Sequence, residues 1–268
     1  MKDLTQISTI RAVLLVLCLL ILTACGGNNG NGNNDDDGAN GDTSGDGGDG
    51  NQTPPAEVSD ATFEVTITNL TRAQPMSPVA IMLHQTGFNS FTDGQPASPG
   101  LELLAEGGDN TDVLAEVEAR DEHLASGSTD GPIPPATIGD PVNLTFPSDQ
   151  LEDMRISVIT MLVHTNDAFS GVNAVDISNM EVGDTIALTG PTWDAGTEIN
   201  DELGANLPGP DFGGEGFNGA RDDLFDRVRF HQGVVTNTSL ESGLADSSLE
   251  ERHRFDNPTT KIVVSRIE

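Results

Sequence analysis

The sequence predicts an all-β fold, an antiparallel β-sandwich with long loops and one or two short helices. From residue 61 onward, apolar and polar residues alternate in about seven short segments, which is typical of strands with one buried face. Turns rich in proline and glycine separate these segments, and a single stretch carries a convincing helical stripe. Short strands with so little helix between them favour an antiparallel sandwich over an α/β design.

The predicted strands follow from this alternation. In the first, residues 62–70, Phe63, Val65 and Ile67 fall on one face and polar side chains fall on the other. Segment 156–163 is almost continuously apolar, so we expect it to be central and buried on both faces. The remaining predicted strands span residues 79–83, 142–146, 172–177, 185–188 and 261–267.

One stretch between the strands, residues 112–124, is predicted to be helical. Val113, Leu114, Val117 and Leu124 recur there at roughly helical spacing. Such a stripe is typical of an amphipathic helix that buries one side.

Residues 1–24 form a predicted lipoprotein signal peptide. Lys2 and Arg11 lie before the apolar run of residues 12–22, which is too short to span a bilayer but suits the central region of a signal peptide. The run ends in Leu-Thr-Ala-Cys, which resembles a bacterial lipobox, so we expect Cys25 to carry a lipid. Because Gly26 rather than an aspartate follows, we expect a lipid-anchored protein of the bacterial cell envelope, at the outer membrane of a Gram-negative host.

Residues 25–60 are predicted to be a flexible tether, because they are rich in Gly, Asn and Asp and offer nothing to bury. An alternative interpretation is a calcium loop, since Asn33, Asp35, Asp37 and Gly38 match four positions of the EF-hand template. However, a serine stands where that loop needs a bidentate glutamate, so a solvated spacer is favoured. The folded domain is therefore predicted to span residues 61–268.

The charge of the chain excludes one class of partner. The 268 residues carry a formal charge of −31, and residues 61–268 carry 34 acids against 10 Lys and Arg, a charge of −24. Such a surface would repel a polyanion, so we expect no nucleic-acid binding. The two cysteines, Cys18 and Cys25, lie in or next to the signal peptide, so the predicted domain has no disulfide, thiolate zinc site or cysteine nucleophile.

Motifs for catalysis are lacking. The sequence has no Gly-x-Ser-x-Gly elbow, no His-Glu-x-x-His and no Walker loop, and its five histidines are scattered singly. We therefore expect a protein that is not an enzyme.

A series of motifs stands out against this background. The first two are Thr-Asn-Asp-Ala-Phe at 165–169 and Trp-Asp-Ala-Gly-Thr-Glu at 193–198, and Asp-Ala-Gly-Thr-Glu at 194–198 is the most specific element. They are accompanied by Met-Ser-Pro at 76–78, Gly-Gln-Pro-Ala-Ser at 94–98, Leu-Ala-Glu-Gly-Gly at 104–108 and Pro-Gly-Pro at 208–210. In this order the motifs resemble the spondin N-terminal domain family, which is known from the extracellular-matrix protein F-spondin and from bacterial exported proteins.

The resemblance implies a C2-like β-sandwich that binds one calcium ion (Ca2+). Carried over position by position, the ligands are Asp167, Asp194 and Glu198. Two positions depart from the family pattern: Ala168 stands where the animal proteins have a tryptophan, and Glu198 replaces an aspartate, which lengthens one ligand arm by a methylene group.

Strand counting from the residues points to the same three acids. Two predicted strands lie between Asp167 and Asp194, so both acids should lie at one end of the sandwich. Gly196 permits a tight loop that turns Asp194 and Glu198 toward a common centre. Converging carboxylates repel each other, and a divalent cation with oxygen ligands relieves the repulsion. The alternative is that the three acids stay solvated without a metal.

Two hypotheses for function remain from the sequence. The first is a calcium-binding module for extracellular adhesion or interaction, with an unidentified protein or polysaccharide as its partner. The second is a secreted hydrolase of extracellular polymers that uses paired carboxylates among Asp194, Glu198, Asp201 and Glu202. Those acids are crowded into nine residues, whereas a glycosidase needs them on opposite sides of a cleft, so the first hypothesis is favoured.

Overall fold

The computed structural model describes residues 57–238 and 246–268, which form a two-sheet β-sandwich with two short α-helices. The predicted all-β fold is therefore confirmed. The signal peptide, Cys25 and the tether as far as residue 56 lie outside the described residues. None of the described helices is long and apolar enough to cross a membrane.

The bounds of the described strands and helices are β1 Asp60–Asn69, β2 Ala80–Gln85, α1 Pro99–Gly107, α2 Thr111–Glu118, β3 His123–Ser128, β4 Val142–Pro147, β5 Met154–Met161, β6 Ala168–Asp176, β7 Thr185–Gly190, β8 Thr192–Asp194, β9 Arg229–Phe230 and β10 Thr260–Arg266. The connections between these elements are longest after β8 and after β9, and those after β2 and β3 are also long.

The strands form two antiparallel sheets. The first has the order β4-β1-β10-β7, and the second has the order β3-β2-β5-β6-β8-β9. The faces between the sheets build the main core, where Phe63, Val65 and Ile67 of β1 are fully buried as their alternation predicts. Phe63 stacks on Phe146 of β4 with ring centroids 6.0 Å apart.

Strand β5 is central and buried on both faces, as predicted. It lies between β2 and β6, and its Ile156 and Val158 point into the main core. Its Ile159 and Met161 belong to a second core, which includes Leu101 and other apolar residues of the helices. The helices therefore cover the outer face of the six-stranded sheet, which explains why this strand reads as a continuous apolar run.

The helical segment differs from its prediction. The predicted helix 112–124 ends six residues early, at Glu118, and Leu124 belongs to β3, which pairs with the edge of β2. A second helix, α1, was not predicted. Its ends are well defined, because the Ser98 side chain accepts the N–H of Leu101 and Gly108 follows in a left-handed conformation.

Candidate metal centre

Strands β6 and β8 bring Asp167 and Asp194 to the same end of the six-stranded sheet. Ala168 pairs directly with Asp194, and the N–H of Ala195 donates to the carbonyl of Asp167 at 3.2 Å. The predicted convergence is thus present, although the route differs: β7 lies in the other sheet, and the chain crosses back at Pro191 to add β8 beside β6.

The loop at the end of β8, residues 194–198, requires a glycine at position 196. Gly196 has a φ of +74°, and a Cβ at this position would overlap the backbone N and O of Arg227. An L-residue here would meet both backbone strain and a clash. The glycine therefore lets the 194–198 loop lie flat against the segment that precedes β9.

Asp167 is fully buried and orders this loop. Its Oδ2 accepts the backbone N–H groups of Thr197 at 2.8 Å and Glu198 at 3.2 Å. Its Oδ1 is buried and has no hydrogen-bond partner among the described residues. One half of this carboxylate thus fixes the loop, and the other half is left without a partner.

Asp194 is held by partners on both oxygens. Its Oδ1 accepts the N–H of Gly196 at 2.9 Å, and its Oδ2 accepts the Asn200 amide at 2.7 Å. The Arg229 guanidinium also pairs with Oδ2 at 3.0 Å and with Asp223 at 2.7 Å. Arg229 therefore neutralises part of the acidic cluster.

Glu198 is buried with a single weak partner. Its Oε1 accepts from the Asn166 amide at 3.3 Å, while its Oε2 is buried and has no partner in the described part of the chain. The same Asn166 amide donates to Asp201 at 3.2 Å. Asn166 thus links the hairpin that leads into β6 to the acids that follow β8.

Burial shifts the pKa values of the clustered acids upward. Burial raises the pKa of Asp167 well above its usual range, and the neighbouring Asp194 raises it further. Burial also raises the pKa of Asp194, although Arg229 opposes the shift. Burial raises the pKa of Glu198 to about 8, and that of the nearby Glu202 to about 7.

A further acid, Glu106 at the end of α1, was missed by the sequence reasoning. It is fully buried, its Oε2 accepts the N–H of Asn218 at 2.9 Å, and its Oε1 has no partner among residues of known placement. Burial raises the pKa of Glu106, whose charge also raises the pKa of Glu198. Its place within the Leu-Ala-Glu-Gly-Gly motif was the available signal.

Arg229 and Asp223 could not be assigned from the sequence, because they lie about thirty residues beyond the 194–198 loop in a segment without a recognisable motif. The structure also describes the two other acids of the hydrolase hypothesis. Asp201 accepts hydrogen bonds from the amides of Asn166 and Asn206. Glu202 is buried, and its Oε1 accepts the N–H of Val235.

The donor set suits a hard cation. Asp167, Asp194 and Glu198 offer carboxylate oxygens only, and two of these oxygens are buried without partners, which is costly unless a proton or a cation satisfies them. Within residues 57–238 and 246–268, no group of three or more His, Cys, Asp or Glu side chains has the arrangement of a formed metal site. Calcium binding by these residues therefore stays a prediction.

Comparison with known proteins agrees with this architecture. The Spondin_N family model matches residues 65–202, about half of the chain, and the match includes Asp167, Asp194 and Glu198. No curated protein shows significant similarity to the chain. The motifs at 165–169 and 193–198, which form the loop cluster described above, lie inside the matched region. The chain belongs to the Spondin_N family.

Proposed function

We propose that the protein is a lipid-anchored lipoprotein of the bacterial cell envelope that displays a calcium-binding spondin module for extracellular adhesion or interaction. The ion is held by Asp167, Asp194 and Glu198. The observation that carries the proposal is the pair of buried carboxylate oxygens without partners, Oδ1 of Asp167 and Oε2 of Glu198. A divalent cation would satisfy both oxygens and offset the repulsion between the acids.

Exposed apolar side chains near the acid cluster support the interaction role. Phe217, Leu224, Phe225 and Phe230 are 45–85% exposed and lie in the segment that packs on the 194–198 loop. Arg229 lies over the ring of Phe225 at 5.7 Å. Aromatic and arginine side chains are enriched in protein interfaces, and clustered exposed apolar groups mark interaction sites.

Calcium should stabilise the folded protein by mass action. Extracellular modules bind calcium with Kd values of about 0.1 to 1 mM, so about 10 mM calcium should add roughly 1.4 to 2.7 kcal/mol to the free energy of unfolding. For a domain of this size each kcal/mol raises Tm by about 2 to 4 °C, so the expected rise is several degrees. Magnesium should raise Tm less, because it dehydrates reluctantly.

The most informative variant is Glu198→Gln. It removes a carboxylate without a cation partner among the described residues, so it should abolish most of the calcium response. It should also raise Tm in chelator, because the buried side chain no longer has to take up a proton on folding. Asp194→Asn is less clean, because it also breaks the ion pair with Arg229. Glu152→Gln is the matched control: Glu152 is exposed before β5, away from the loop cluster, and its variant should respond to calcium like the wild type. Equal Tm values of the wild type in chelator and in calcium, at matched ionic strength, would refute the metal site.

The lipid anchor is tested separately at Cys25. The full chain should partition into the detergent phase and incorporate a fatty-acid probe, whereas Cys25→Ala should do neither. A wild-type chain that fails to incorporate the probe in a bacterial host would remove the anchor from the proposal and leave the calcium module untouched.

A further inference from the structure

A polar cavity of about 410 Å³ lies beside the 194–198 loop. Asp194 and Asn200 form one wall, and Arg229, His231 and Arg254 contribute to the others. Its volume falls in the range of small-molecule binding sites. The cavity and the proposed calcium site share one residue, Asp194.

Arg254 supplies a cation that is available to a ligand. Its closest acid is Glu251, with the guanidinium 3.9 Å from the carboxylate, and no described residue accepts a hydrogen bond from its guanidinium. Arg229 adds a second positive charge to the wall, although Asp194 and Asp223 occupy its donors. Two of the domain's ten Lys and Arg residues therefore line this one cavity.

His231 adds a buried donor to the cavity lining. The residue is 7% exposed, and its Nδ1 accepts the N–H of Gly233 at 2.9 Å, so the neutral ring carries its proton on Nε2. That Nε2 has no acceptor within the described ranges. A buried N–H group without an acceptor is costly, so His231 contributes an unsatisfied donor beside the cavity.

The acids of the cavity are largely neutralised. Asp194 pairs with Arg229, and Glu202 accepts the N–H of Val235. Burial raises the pKa of Glu202 to about 7, so this group is only partly charged near neutral pH. The local balance of charge is thus much less negative than that of the domain as a whole.

We propose that this cavity binds a sugar acid, that is, a saccharide unit that carries a carboxylate. The Arg254 guanidinium matches a carboxylate in shape and charge, and a charge-assisted pair of this kind is among the stronger hydrogen bonds. The amides of Asn200 and Gln232 offer partners for sugar hydroxyl groups. The volume accommodates a saccharide ring and exceeds what a single acidic side chain of a protein would fill.

This inference rests on the proposed role as an interaction module and names its ligand class, but it does not require a bound metal. It can therefore be tested in buffer freed of calcium by a chelating resin. The probes are the methyl glycoside of glucuronic acid, the neutral methyl glucoside and acetylglutamate, each titrated into the full chain and followed by NMR.

The glucuronide should bind at least tenfold more tightly than the neutral glucoside and than acetylglutamate. Arg254→Gln should weaken glucuronide binding by about tenfold, the effect of losing one charge-assisted hydrogen bond. Arg252→Gln is the matched control, because it removes the same charge two residues away. Arg252 does not line the cavity and pairs with Glu250. The Arg252 variant should bind like the wild type.

Four results would overturn the proposal. Equal binding of the glucuronide and the neutral glucoside would exclude carboxylate recognition, and an equal loss in both arginine variants would show that bulk charge alone attracts the probe. Acetylglutamate that binds as tightly as the glucuronide would assign the cavity to acidic peptides instead. Release of methanol from the glucuronide would favour the hydrolase hypothesis over a binding site. The Tm of the same samples in calcium reports on the metal site independently.

Discussion

Arg229 and the proposed calcium ion would compete for the same carboxylate. In the structure the guanidinium of Arg229 pairs with Asp194 and Asp223, so Asp194 has a cation partner before any metal binds. Among the residues that the structure describes, Asp167 and Glu198 have no cation partner, and each keeps one buried oxygen without a hydrogen bond. The unfavourable electrostatics are therefore concentrated on these two residues, and substitutions there separate the metal-free and metal-bound states best.

The proton on Glu198 gives a pH dependence with a definite sign. Its pKa is about 8 in the folded protein against 4.5 ordinarily, so between these values the folded state binds a proton that the unfolded chain releases. The free energy of unfolding of the metal-free protein should therefore fall as the pH rises. Glu202, with a pKa of about 7, acts in the same direction.

His231 acts in the opposite direction at lower pH. Burial lowers its pKa from 6.5 to about 4, so this residue makes stability increase with pH between those values. The range from pH 6.5 to 8 therefore shows the effect of Glu198 on stability without the opposite effect of His231. In chelator, Tm should fall across this range, and Glu198→Gln should make the decline shallower. A wild-type Tm that is flat or rising over this range would contradict the buried, protonated carboxyl group.

The 194–198 loop can be tested through its glycine. Gly196→Ala places a methyl group on the backbone of Arg227 and forces alanine to a φ of +74°. The strain and clash together should lower the free energy of unfolding by at least about 2 kcal/mol, or Tm by about 4 to 8 °C. The calcium response should weaken as well, because the loop carries Glu198.

A substitution at a second glycine, Gly94, separates the cost of backbone strain from the cost of a steric clash. Gly94 has a φ of +79° but no atom within 4 Å of the position that a Cβ would occupy. Gly94→Ala should therefore cost only the backbone strain, on the order of 1 kcal/mol. Equal losses in the two variants, measured by denaturant unfolding, would show that the close approach of Arg227 to the loop contributes nothing.

The strands were predictable where one face is buried and the other is not. Alternation located β1, β4 and β10 to within one or two residues, and the continuous apolar run located β5. Strands β8 and β9 have three and two residues, too few for a period to be visible.

The helices show that the spacing of apolar residues alone does not locate the ends of a helix. For α1 the informative residues were its caps, Ser98 and Gly108, rather than its short apolar stripe. For α2 the predicted stripe was too long, because Leu124 lies in β3, the strand that supplies hydrogen-bonding partners to the edge of β2. Pairing with β2 therefore determined the structure of this segment, against its local helical pattern.

The site was predictable only in its local part. Asp167, Asp194 and Glu198 belong to motifs at the adjacent ends of the paired strands β6 and β8, so strand counting brings them to one end of the sandwich. Arg229 reaches them from a distant segment that no motif marks. Glu106 of α1 lies in a family motif, but the motif does not show that it approaches the other acids. Likewise His164 and His253, scattered along the chain, pack edge to face with ring centroids 5.4 Å apart.

At the scale of the whole molecule, net charge opposes folding. Residues 61–268 carry a charge of −24, and most of their arginines already pair with acids, as in Arg221 with Glu102 and Asp226. The remaining acids repel one another across the surface. Part of the stability of this domain therefore depends on the salt around it.

Added monovalent salt should raise Tm, and the shape of the curve identifies the cause. The Debye length falls from about 30 Å at 0.01 M to about 8 Å at 0.15 M, so most of the repulsion is screened at low concentration. We expect Tm in chelator to rise steeply up to about 0.2 M NaCl and slowly thereafter. KCl should give the same curve as NaCl, because screening depends on ionic strength and not on the ion, whereas occupancy of the acid cluster by sodium would separate the two salts. A Tm that stays constant or falls between low salt and 1 M NaCl would show that surface ion pairs, which salt weakens, outweigh the repulsion in this domain.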